Sequence, residues 1–178
     1  MAATYQDLVE LDLPEWQIGE IISGELVVRR LPPPRAAHAH SSLIGLLAEV
    51  GLYGPWWILT RVELCLGSDV FVPDLSAWRR ERMPVLSSEP PWIELAPDWV
   101  CDVLTDQSRE VVLNAKPSAY ARHGIADWWI VDPDAQTVAV KRLAGAAYES
   151  VETSHGAASL QASPFDALRL DLHYLWRL

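Results

Sequence analysis

Two apolar runs in this chain each carry a single acid where a buried strand would carry none. The stretch from Val70 to Trp78 reads as a core strand apart from Pro73 and Asp74, and the run from Trp99 to Leu104 repeats the pattern around Asp102. Proline lacks the amide that a sheet ladder needs and is confined to edges and bulges. An ionised carboxylate in an apolar interior is costly without a partner. Two such acids on neighbouring strands repel each other, so one must take up a proton unless a cation sits between them. A divalent cation removes the conflict. Magnesium accepts a few carboxylate oxygens, keeps several waters and bridges to phosphate. Such an ion can activate water and stabilise charge on a phosphodiester. A nearby lysine is the usual third member, because it can orient water or offset developing negative charge. The residue two beyond Asp102 faces the same side of the strand. It is Leu104, which cannot do this; Lys116 can, if the following helix folds back over the strand.

The rest of the pattern is a mixture of strands and helices. Tyr5 to Leu11 has weak helical spacing, and the two apolar runs around Ser23-Gly24 predict a hairpin. Pro32-Pro33-Pro34 stops it, and a helix follows with apolar positions Leu43, Ile44, Leu46, Leu47 and Val50, closed by Gly51 or Gly54. A second hairpin is predicted around Gly67-Ser68-Asp69, and residues 81–97, with four prolines, read as a loop. A helix over residues 108–123, with Ser108 as its N-cap and Gly124 just past its end, leads into a buried strand at Asp127 to Asp132. The segment "TVAVKRL" alternates and pairs with it. Short strands at Tyr148 to Val151 and in "LRLDLHYLW" end the chain. This order predicts an α/β domain with a mixed sheet flanked by helices, extended by an N-terminal hairpin and C-terminal strands.

With 178 residues, half of them hydrophobic, the chain suits one domain over residues 1–178 with its own core. No stretch approaches the roughly 20 apolar residues of a membrane span, and the N-terminus lacks a basic, apolar leader, so a cytoplasmic protein without membrane partners is expected. Cys65 and Cys101 have no paired spacing and read as buried free thiols. The net charge of −10 opposes tight, nonspecific binding of a polyanion. Local basic faces remain open at Arg29, Arg30 and Arg35, and at Arg79, Arg80 and Arg82. The pairs Trp56-Trp57 and Trp128-Trp129 read as core or as the surface of a homodimer.

Taken in order, Ser23-Gly24-Glu25-Leu26, the segment Pro32 to His40, Pro73-Asp74-Leu75, Asp102-Val103-Leu104, and Lys116 through Tyr120 and Gly124 to Pro133 resemble the Uma-type restriction endonucleases of the PD-(D/E)XK nuclease superfamily. The resemblance spans residues 5 to about 143, and its last segment is the most specific. It implies a restriction-endonuclease-like fold and a DNA phosphodiesterase that uses Mg²⁺ or Mn²⁺. It implies a metal held by Asp74 and Asp102, with the Val103 backbone carbonyl, and a catalytic lysine moved from the strand to the helix at Lys116. Glu25 and His40 would complete the shell, with Glu20 and Glu63 as weaker candidates. Asp132 reads as fixing a strand exit, Tyr120, Trp128 and Trp129 as core, and His38 as exposed. The sequence departs from the family in three places: Asp102 stands for a glutamate, Thr105-Asp106-Gln107-Ser108 for SPST, and Pro117 follows Lys116. Proline inside a helix removes a hydrogen bond and disfavours α-conformation in the residue before it, so the helix either begins near Pro117 or kinks there. A non-catalytic binding or regulatory module on the same fold, or a hydrolase of another phosphoester, stands as the alternative.

Overall fold

The computed structural model describes residues 2–177. Ten of its twelve strands form two sheets. The larger one has the order β10-β9-β8-β7-β6-β3, built from β3 (Trp56–Thr60), β6 (Leu75–Arg79), β7 (Trp99–Val103), β8 (Asp127–Asp132), β9 (Thr137–Ala144) and β10 (Ala147–His155). All its pairings are antiparallel except β7 with β8. A parallel pair needs a crossover, and the helical segment between Arg109 and Arg122 supplies it. The smaller sheet, β2-β1-β5-β4, contains β1 (Gln17–Ile22), β2 (Glu25–Arg30), β4 (Leu64–Leu66) and β5 (Asp69–Phe71). A short ribbon of β11 (Ser159–Leu160) and β12 (Leu170–Asp171) completes the strands.

Pro73 and Asp74 lie in neither sheet. The chain leaves the smaller sheet at Phe71 and enters the larger one at Leu75. The single strand expected from Val70 to Trp78 is therefore two strands joined by a crossing. Pro73 removes no ladder hydrogen bond there, which is why it is tolerated in an apolar run. The β1–β2 turn is two residues long, with Ser23 and Gly24 both at positive φ, the geometry that suits strand twist in a tight hairpin.

Side chains alternate across β7 and β8. Trp99, Cys101, Val103, Trp129 and Val131 face one core, with Leu43 and Leu47 from the helix that starts at Pro34 and its extension. Val100, Leu104, Trp128 and Ile130 face the other, with Phe71 and Tyr120. Helix α1 spans Tyr5–Glu10 and α2 Pro34–Leu46, with proline in its first turn, where its missing N–H costs nothing. Helix α3 spans Lys116–Arg122 and follows directly on a π-helical turn, Val111–Ala115. Pro117 thus sits in the first turn of α3, and the wider turn before it accommodates the missing donor. Thr105, not Ser108, caps the whole segment: the Thr105 hydroxyl accepts from the Ser108 amide at 3.2 Å, and the Ser108 hydroxyl accepts from the Thr105 amide at 3.0 Å.

Other expectations need correction. The C-terminal "LRLDLHYLW" yields only β12 before turning into helix α4 (His173–Trp176). His38 is half-buried against the Tyr174 carbonyl, and Cys65 is half-buried, whereas Cys101 is buried. Trp56, Trp128 and Trp129 are buried within the chain, and Trp57 is half-buried and donates to the Met83 carbonyl. Each basic cluster keeps exposed arginines, Arg30 and Arg35 in one and Arg79 and Arg82 in the other. The rest is engaged within the chain: Arg29 is half-buried on Glu20, Arg79 and Arg80 stack on Trp56 and Trp57, and Arg82 pairs with Asp98. No helix among the described residues is long and apolar enough to cross a membrane.

Asp69 pins the two hairpin turns to α3. It is buried and accepts from the Ser23 amide at 2.6 Å, Arg122 at 2.8 Å and His123 at 2.8 Å. Burial pushes its carboxyl up, but these hydrogen bonds outweigh burial and hold it below its ordinary value. The unfolded chain then binds the extra proton first, so stability falls with acid. The contribution is complete above the unfolded value of about 3.9 and is lost as pH falls through the lower folded value. Thermal melts over the acid range should show a shallower loss for Asp69→Asn than for wild type; parallel curves would mean Asp69 is not linked to folding.

Candidate active site

The two sheets and α3 enclose a buried cluster of charges. The last registered pair between β6 and β7 is Leu75 with Cys101. One step further along the same register, Asp74 comes opposite Asp102, whose side chain faces α3. Asp74 Oδ2 accepts from the Val103 amide at 2.8 Å. Its backbone carbonyl accepts from His40 Nε2 at 3.0 Å and from the Arg61 amide at 3.2 Å. A carbonyl can only accept, so His40 carries its proton on Nε2. Burial lowers the pKa of this ring and favours its neutral form. His40 lies in the middle of α2 rather than at its start, and it positions Asp74 through the backbone.

Asp102 is held from three directions. Lys116 Nζ donates to Oδ1 at 2.7 Å, Trp128 Nε1 to Oδ2 at 3.0 Å, and the Tyr120 hydroxyl to Oδ2 at 3.1 Å. Lys116 is 1% exposed and also meets Glu20 Oε1 at 3.0 Å. Glu20 in turn accepts from the Val72 amide at 2.8 Å and from Arg29 Nε at 3.2 Å. Arg29 is anchored further by a 2.6 Å hydrogen bond to the Val72 carbonyl. Three carboxylates, Glu20, Asp74 and Asp102, thus face three cations, Arg29, Arg61 and Lys116.

Burial opposes every charge here, and the balance differs by position. For Lys116 it favours the neutral amine, but the carboxylates of Asp102 and Glu20 outweigh it and raise the pKa, so the ammonium persists. Burial also pushes Glu20 up, yet Lys116 and Arg29 hold it below its ordinary value. Asp102 goes the other way, raised by burial and by the charges of Asp74 and Glu20 despite Lys116. Burial and the Asp102 charge also push the Tyr120 hydroxyl well up, so it remains a donor.

Sequence reasoning and structure differ on which residues share this site. Asp74, Asp102, Lys116 and His40 come together. Val103 contributes its amide to Asp74. Glu25 does not join them: it adjoins the hairpin turn opposite Ile22 and is exposed. Glu20 occupies the position expected of it, because it stands mid-strand among isoleucines, where a side chain is buried. That apolar flanking was the available signal. Arg29, Arg61 and the polar tips of Tyr120 and Trp128 carried none, since each reads locally as a surface cation or a core aromatic. Glu63 is engaged elsewhere, by the Tyr5 hydroxyl at 2.9 Å. Asp132 caps its turn by accepting from the Asp134 and Ala135 amides, both at 3.1 Å. A cleft of about 390 Å³ bordered by Pro117, Trp128, Lys141 and Tyr148 does not include the carboxylates.

The donor set fits a hard divalent cation. Asp102 spends three of roughly four acceptor positions on protein donors. Asp74 spends one, and its Oδ1 is approached by Arg61 Nε at 3.6 Å, too long for a hydrogen bond. Asp74 therefore has unspent oxygen lone pairs. Among the described residues no three His, Cys, Asp or Glu side chains form a metal cage. An ion here would be held by one or two carboxylates and by water, which is the habit of Mg²⁺.

The architecture is that of a nuclease fold. A solved structure titled as a putative nuclease belonging to DUF820, from Anabaena variabilis ATCC 29413, superimposes with a TM-score of 0.78 at 24% identity, covering 98% of this chain and 97% of that one. A family model described as "Uma2: Putative restriction endonuclease" matches residues 3–173, and the chain belongs to that family. No protein of curated function matches it.

Proposed function

We propose that the protein is a metal-dependent endonuclease that hydrolyses DNA phosphodiester bonds. The observation that carries this reading is the convergence of Asp74, Asp102 and Lys116 from a sheet crossing, a strand and a π-distorted helix onto one buried point. Asp74 and Asp102 would hold Mg²⁺ or Mn²⁺, which supplies charge neutralisation at the phosphate and a more acidic water. Lys116 spends two of its three N–H donors on Asp102 and Glu20, leaving the third for an attacking water. Glu20 and Arg29 hold that ammonium in place. His40 and the Val103 amide fix the orientation of Asp74, while Tyr120 and Trp128 fix that of Asp102. Supercoiled plasmid incubated with the protein should be nicked or linearised with Mg²⁺ or Mn²⁺ and remain intact with EDTA. Equal cleavage with EDTA would remove the metal from the reaction, and no cleavage by folded protein would remove the nuclease.

The second reading, a binding module that kept the fold, draws on the three protein donors already on Asp102 and on its 1% exposure. It predicts intact plasmid under every metal condition.

A further inference from the structure

Each carboxylate in the cluster has a cation, but the cations are not held alike. Lys116 is buried between two carboxylates at 2.7 and 3.0 Å. Arg29 is locked by Glu20 at 3.2 Å and by the Val72 carbonyl at 2.6 Å. Arg61 is held loosely. Its side chain is 28% exposed, its Nε lies 3.6 Å from Asp74 Oδ1, and that Nε is buried without a hydrogen-bond partner among the described residues. Its backbone has φ of +47°, in the left-handed region that a residue with a Cβ seldom adopts. An unsatisfied buried donor and a strained backbone are both costs. They fall on a residue that faces the unspent lone pairs of Asp74.

We propose that Arg61 is an exchangeable counter-ion: it neutralises Asp74 when no metal is bound, gives way to the divalent cation, and turns its guanidinium to the substrate phosphate. Charge balance drives the exchange. With three carboxylates and three monovalent cations the cluster is neutral, and adding a divalent ion leaves an excess of two positive charges. Moving Arg61 off Asp74 relieves that repulsion. The released guanidinium is planar, always charged and suited to bidentate contact with a phosphate. Metal and phosphate would then bind cooperatively, because each favours the same position of Arg61. The proposal rests on the metal-dependent reading of Asp74, and its test separates the two.

Calorimetric titration of Mn²⁺ into wild type, Arg61→Ala and Arg61→Lys, without nucleic acid, reads the exchange directly. Arg61→Ala removes the competing charge and is expected to tighten Mn²⁺ binding about tenfold, the factor for a change of ~1.4 kcal/mol. Arg61→Lys keeps a competing charge and should stay near wild type, while losing the fork that grips phosphate. Binding of a short oligonucleotide with Ca²⁺ should weaken in both variants. A purely structural Arg61 would not produce tighter metal binding on its removal. Binding by Arg61→Ala with none detectable by wild type would support the exchange in its strongest form. Equal or weaker Mn²⁺ affinity in Arg61→Ala would overturn the exchange and leave the metal site standing. No Mn²⁺ binding by any of the three proteins, each folded by circular dichroism, would overturn both.

Discussion

Lys116→Met should destabilise the protein by about 3–5 kcal/mol, the usual consequence of removing one partner from a buried ion pair. The ammonium lies 2.7 Å from Asp102 and 3.0 Å from Glu20. Methionine fills similar space but leaves both buried carboxylates without their cation. Arg29 still meets Glu20, and Tyr120 and Trp128 still donate to Asp102, so the loss is that of one cation rather than of the whole cluster. Total stability of a domain is commonly about 5–15 kcal/mol, so the urea midpoint should fall sharply with an unchanged m-value. Adding Asp102→Asn to Lys116→Met removes one stranded charge and should recover part of the loss. Strictly additive effects of the two substitutions would mean that Lys116 and Asp102 are not coupled. The same experiment bears on catalysis, since a variant that is partly unfolded reports nothing about water activation. Lys116 variants therefore belong below their own melting range.

Asp74→Asn should abolish metal-dependent plasmid cleavage, by about a thousandfold or more, equivalent to ~4 kcal/mol of transition-state stabilisation, while leaving the fold intact. Asparagine keeps an oxygen for the Val103 amide, and the His40 and Arg61 bonds go to the backbone carbonyl, which the substitution does not alter. What it removes is the anionic oxygen that lies opposite Arg61. The expected pairing is a melting curve close to wild type and a loss of activity that extra Mn²⁺ does not restore. Cleavage at the wild-type rate would take Asp74 out of the chemistry, and a large loss of stability would make it a structural residue.

Much of the fold follows from local pattern. The runs around Val100 and Trp129 are apolar on both faces because β7 and β8 are packed on both sides, which is why they read as buried strands without alternation. The Ser23-Gly24 turn was legible because positive φ at two successive residues restricts the choice of residue. The C-terminal helix α4 was not legible, since a four-residue helix has too little periodicity to separate from a strand. The N-cap of the α3 segment shifted from Ser108 to Thr105 because either residue alone suits a cap, and only the reciprocal pair distinguishes them.

For the site, sequence alone determined which residue types could not be ordinary core. Asp74 and Asp102 stand in apolar runs, where a charge without a partner is costly, and that cost is a property of the residue and its neighbours. Tertiary structure alone decided the partners. Lys116 reaches Asp102 because a π-turn ahead of Pro117 carries the lysine over the sheet. Glu20 rather than Glu25 joins it because the smaller sheet docks with the middle of β1, not with its turn. Pairing in space depends on where distant segments pack, and no local propensity encodes a contact between Glu20 and Lys116, 96 residues apart in sequence.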